Sequence, residues 1–105
     1  MAIDERTLMK KIQDIKKALI KIKGALKKNF SIKEIGIFGS YVRNEQKTRS
    51  DVDILIEFYK VPGLLKFIEI EEYLSTLLKI RVDLVMKSAL KPYIGQHILN
   101  EVVYI

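Results

Sequence analysis

Asp51 and Asp53 stand one residue apart at the head of the apolar run DVDILIEFY. Side chains alternate faces along a β-strand, so both carboxylates point one way while Val52, Ile54 and Ile56 point the other way, into a core. Two like charges side by side repel, and a pair of carboxylates supplies the oxygen ligands that a divalent cation takes. Asp83 interrupts a second apolar run, VDLVM, where a purely structural strand would carry Val or Ile. If the two strands are neighbours, three carboxylates meet on one rim, the equipment of two-metal phosphoryl or nucleotidyl transfer. A structural alternative stands beside each: Asp51 and Asp53 can cap the strand entry and bridge to arginines, and Asp83 can pair with Arg81 or Arg43.

Such chemistry needs a cradle for phosphates. Gly39-Ser40 follows directly on the run IKEIGIF and is placed to open a helix. A glycine lets the backbone approach a phosphate closely, N–H groups at a helix start favour anions, and the Ser40 hydroxyl adds a donor. Arg43 and Arg49 can each reach a phosphate or balance the aspartates; Arg43 is the candidate of the two. His97, beside apolar Ile98, reads as a surface or packing residue, and the tyrosines read as packing.

The elements that must position these groups follow from periodicity. Leu8, Ile12, Ile15, Leu19, Ile22 and Leu26 recur at alternating steps of four and three, which predicts one amphipathic helix from near Asp4 to near Lys28. Strands are expected at Ile32–Phe38, from Asp51 to Tyr59, and from Ile80 to Met86. GSYVRNEQKTRS is a polar connection with room for a short helix. Leu64, Phe67, Ile68, Glu71, Leu74 and Leu78 fit a second helix after the break at Val61–Gly63. Pro92 suits the first turn of a last helix, with Ile94, Ile98 and Leu99 expected inward, and VVYI can add a short strand. The class is α/β or α+β, a small mixed sheet flanked by helices, in a single domain over residues 1–105.

Composition narrows the chemistry further. With no cysteine and a single histidine, the chain excludes disulfides, thiolate zinc sites, a cysteine nucleophile and a histidine-rich metal site, leaving oxygen ligands for magnesium, manganese or calcium. The net charge of +6 comes largely from lysines between Lys10 and Lys28, which fill the solvated side of the first helix rather than a nucleic-acid site. No apolar run reaches the roughly 18 residues of a membrane span, and the charged start MAIDERTLMK does not resemble a signal peptide. The expected location is cytoplasmic.

Gly39, Ser40, ten residues, Asp51, any residue and Asp53 match the signature of the DNA polymerase β-like nucleotidyltransferase superfamily. Average residue frequencies put a chance match at about one in a thousand. More narrowly, FGS, Arg43, SDVDILIEF, a Gly-Leu helix start, VDLV and ALKP, in that order between Phe30 and Ile105, resemble the minimal nucleotidyltransferase (MNT) antitoxins, which pair with HEPN ribonuclease toxins. The resemblance implies the polymerase β-like fold, with Asp51, Asp53 and Asp83 holding two magnesium ions and Asp51 and Asp53 catalytic. It implies Gly39 and Ser40 on the phosphates of ATP, and transfer of AMP to a tyrosine of a HEPN toxin partner, with no direct nucleic-acid contact. Asn44 stands where relatives often have glycine, and Asn tolerates the left-handed backbone that such a turn needs. The segment after Pro92 is less basic than in relatives. Two alternatives remain: a nucleotidyltransferase for a small-molecule acceptor, and an idle antitoxin that acts by docking.

Overall fold

The stripe of Ile12, Ile15, Leu19, Ile22 and Leu26 forms helix α1 (Ile12–Phe30), with Ile15, Leu19 and Leu26 buried. The structure, a computed structural model, describes residues 11–105, so the helix start foreseen near Asp4 and the stripe residue Leu8 lie outside the described residues. In the first turn the Lys11 N–H donates to the Asp14 carboxylate (3.0 Å). Gly24 does not break the helix, which runs past the expected Lys28 to Phe30 and ends at Ser31 in the left-handed region (φ 55°).

The remaining elements are β1 (Ile32–Phe38), β2 (Val52–Phe58), α2 (Leu64–Leu78), β3 (Val82–Met86), α3 (Pro92–Glu101) and β4 (Val103–Tyr104). They build one mixed sheet in the order β3-β2-β1-β4, with β1 antiparallel to β2 and β4, and β2 parallel to β3. A parallel pair needs a crossover, and α2 supplies it. Strand β3 begins at Val82 rather than Ile80. Lys79 is left-handed (φ 56°) and the Ile80 N–H still bonds the Ser75 carbonyl, so Ile80 belongs to the closing turn of α2.

Helices α1 and α2 pack on one face of the sheet, against Ile35, Ile37, Val52, Ile54, Ile56, Val82 and Leu84. The strand alternation foreseen for β2 therefore holds. The α2 side chains also reach the edge of the sheet: the Val82 N–H donates to Ser75 Oγ (3.0 Å) and the Leu84 N–H to Glu71 Oε2 (2.9 Å).

Helix α3 departs from the expected packing, because Ile94 and Leu99 are 58% and 42% exposed. The buried residue of α3 is Gly95, where an added Cβ would stand 2.9 Å from Leu90 Cβ. Close approach through a glycine turns the line Gly95–Ile98–Val102 inward and leaves Ile94 and Leu99 to either side. Val102 then packs over Gly36, where a Cβ would meet Val102 Cγ2 at 2.6 Å and the Val103 carbonyl at 3.1 Å. No helix among the described residues is long and apolar enough to cross a membrane.

Candidate active site

Strand register brings the chemistry-bearing residues together. Asp53 pairs with Asp83 across the parallel β2–β3 ladder and with Phe38, the residue before Gly39, across the antiparallel β1–β2 ladder. Asp53 thus lies between the glycine turn on one side and a second carboxylate on the other. Asp51 precedes the strand on the same side, half-exposed, with its Oδ2 4.0 Å from Arg81 Nε. Of the two arginines foreseen as alternative partners for Asp83, Arg81 faces Asp51 and Arg43 pairs with Glu101 and Glu45. Among the described residues no three metal-type ligands stand together as a ready set. Asp53 and Asp83 do make a side-chain contact, and their donor chemistry, oxygen only, suits a hard divalent ion.

The electrostatics of the pair agree with its geometry. Burial, then the charges of Asp83 and Asp51, then the hydrogen bond to Asp83, push the Asp53 carboxyl up to about 6, while Arg43 opposes the shift. A carboxyl crowded by like charges holds a proton that a cation would replace. Nearby, the buried Tyr41 phenol is raised by burial and by the Asp51 charge.

Gly39 is left-handed (φ 81°), and a Cβ there would overlap the Asp53 carboxylate. Only glycine satisfies both conditions. The chain then makes a single 3₁₀ turn, Gly39–Tyr41, with the Val42 and Arg43 N–H groups both donating to the Gly39 carbonyl. This turn is the short helix for which the connection had room, and the chain closes after it at Asn44, which takes the left-handed backbone (φ 57°) foreseen for it. The turn therefore offers individual donors rather than a helix end.

Those donors are engaged in an unforeseen way. The Gly39 N–H donates to Glu101 Oε2 (2.9 Å), and Arg43 Nη1 donates to Glu101 Oε1 (2.6 Å). Arg43 Nε also bonds Glu45 Oε2 (3.2 Å), and these hydrogen bonds, Glu101 first, raise the Arg43 guanidinium above its usual value. Beside this arrangement opens a cleft of about 650 Å³, lined by Gly39, Arg43, Asp53, Tyr93, His97 and Glu101 among others. That is the size of a small-molecule site. Of the foreseen residues, Gly39, Arg43 and Asp53 line the cleft, whereas Ser40, Asp51, Asp83 and Arg49 are not among its lining residues.

The wall from α3 was missed by sequence reasoning. Tyr93, expected to pack, is 79% exposed and meets His97 edge-on at 5.2 Å between ring centroids. Tyr93, His97 and Glu101 recur at steps of four, with Ile94 three before His97, and a carboxylate in the last turn of a helix opposes the helix dipole. That unfavourable placement was the available signal for Glu101.

Comparison with known proteins gives the chain a family. The model of the nucleotidyltransferase domain family matches residues 19–105. The chain is 55% identical over 94 residues to the protein adenylyltransferase MntA of Thermococcus cleftensis, covering 90% of this chain and 95% of that relative. A solved toxin–antitoxin complex with AMP-PNP contains a chain of similar fold (TM-score 0.71, 25% identity, covering 84% of this chain and 69% of that one). The same fold occurs in a complex of a tri-AMPylated Shewanella oneidensis HEPN toxin with an MNT antitoxin (TM-score 0.65, 22% identity, covering 86% and 70%). The chain belongs to the nucleotidyltransferase domain family, and its four-stranded mixed sheet matches the fold of a solved minimal nucleotidyltransferase (TM-score 0.70, 27% identity, covering 86% of this chain and 94% of that one).

Proposed function

We propose that this protein is an adenylyltransferase antitoxin that moves AMP from ATP to a tyrosine hydroxyl of a HEPN toxin. The observation that carries the reading is the Asp53 carboxyl, which lines the cleft between the Gly39 turn and Asp83 and is pushed up to about 6. The identity to an MntA adenylyltransferase over nine-tenths of the chain supports the reaction class. The likeness to a toxin–antitoxin complex supports the kind of partner.

In this reading Asp51, Asp53 and Asp83 would hold two magnesium ions, whose charge would neutralise the triphosphate and make the attacking hydroxyl more acidic. Asp53, released from the proton it shares with Asp83, would offer its carboxylate as an oxygen ligand. The Gly39 N–H, the Ser40 hydroxyl and Arg43 hold phosphate oxygens, and Tyr93 with His97 offers an aromatic wall to the adenosine. The toxin's tyrosine oxygen bonds to the α-phosphorus as the bond to pyrophosphate breaks, and the hydroxyl proton passes to solvent. One small domain leaves little surface to orient an acceptor, so the partner must bring its hydroxyl to the site.

Intact-mass spectrometry of a mixture with the cognate HEPN protein, magnesium and ATP tests this. The expected result is a partner heavier by one or more AMP units, attached at tyrosine. An inhibited but unmodified partner would show docking alone, and modification of a small molecule in its place would show a different acceptor class; either refutes the proposal.

A further inference from the structure

The cradle donors are already held by a carboxylate of the chain itself. Gly39 N–H and Arg43 Nη1 both donate to Glu101, one to each oxygen, at 2.9 and 2.6 Å. These are two of the donors that the proposed function gives to phosphate, and the inference rests on that reading. We propose that Glu101 occupies the position of a nucleotide phosphate, so that the nucleotide binds by displacing it.

Three features favour a competitor over a permanent strut. Glu101 is the last residue of α3, where the helix dipole disfavours a negative charge, so its placement depends on Gly39 and Arg43. It lines the cleft and its side chain is 22% exposed, with open volume beside it. The backbone that carries it is fixed independently, by Val102 against Gly36 and by β4 on β1, so a side-chain rotation suffices for it to leave. A phosphate oxygen brought to the Gly39 N–H would meet this carboxylate at contact distance, and like charges exclude each other there. An internal ligand lowers the apparent affinity of every outside ligand that needs the same donors by one common factor. It also keeps Arg43 turned toward the glycine turn.

The test is calorimetric titration of the wild-type chain and of Glu101→Gln with pyrophosphate, ATP and adenosine, magnesium present throughout. Glu101→Gln is expected to bind pyrophosphate and ATP about tenfold more tightly, by the same factor, with adenosine affinity unchanged. Glu101→Ala should move in the same direction. Unchanged or weakened pyrophosphate binding in these variants overturns the inference and leaves the nucleotide reading standing. Absence of pyrophosphate and ATP binding to every form overturns both. Wild type gives a measurement independent of variant folding: the Glu101 side-chain carboxyl ¹³C resonance should move when pyrophosphate is added, and a static resonance under saturation overturns the displacement.

Discussion

Replacing Asp53 by Asn should make the protein more stable at pH 8 while abolishing transfer, an inversion that a structural salt bridge would not give. The folded-state carboxyl sits at about 6 against an ordinary value of 3.8. Between those values the native state keeps a proton that the unfolded chain has released, so raising the pH through this window destabilises the fold. The stability conferred by the raised value is fully present below about pH 4 and is gone above about pH 6. The shift corresponds to about 3 kcal/mol, or about 2 kcal/mol after solvent screening at a half-buried site. Asn removes the charge, and its amide can donate to Asp83 in place of the shared proton. Urea unfolding followed by circular dichroism, with a chelator present, is expected to show a gap of about 2 kcal/mol in favour of Asp53→Asn at pH 8 that closes near pH 4. At pH 8 the melting temperature should rise by about 10 °C. Magnesium should narrow the gap from the wild-type side. A gap independent of pH, or a variant less stable than wild type at pH 8, would refute the like-charge account.

Two further substitutions test how the site is built. Gly39→Ala combines a positive φ with a methyl group driven into the Asp53 carboxylate, so it should cost about 2–4 kcal/mol and lose transfer, read by thermal melts and by the partner-mass assay. Ser75→Ala leaves the Val82 N–H without its acceptor and should cost about 1–2 kcal/mol by urea titration with the Asp53–Asp83 pair intact; faster amide exchange at Val82 would locate the loss.

The sequence made legible what depends on local periodicity. The α1 stripe and the alternation of Val52, Ile54 and Ile56 against Asp53 follow from spacing alone, and the break before α2 follows from Pro62 and Gly63. The neighbourhood of Asp53 and Asp83 was expected but rested on a strand order that spacing does not determine. What escaped was decided by packing at a distance. Ile94 reads as a core residue until Gly95 brings α3 down on Leu90 and rolls Ile94 outward. Glu101 lies 62 residues from Gly39, and no local pattern joins a helix end to a glycine turn that far away. The Asp53 carboxylate lies beneath Gly39, a contact set by the pairing of β1 with β2 rather than by any local pattern.

The hydrogen bonds from β3 to α2 also limit how this protein can meet another chain. Val82 and Leu84 turn their amides away from β2, and an edge strand with such amides bare is a template onto which foreign strands add. Here Ser75 and Glu71 already accept them. A visiting strand would have to strip two acceptors from the crossover helix before it could extend the sheet on that side. Recognition of a partner along this margin is thereby left to side-chain surfaces, and the same two residues guard the chain against edge-to-edge self-association at high concentration.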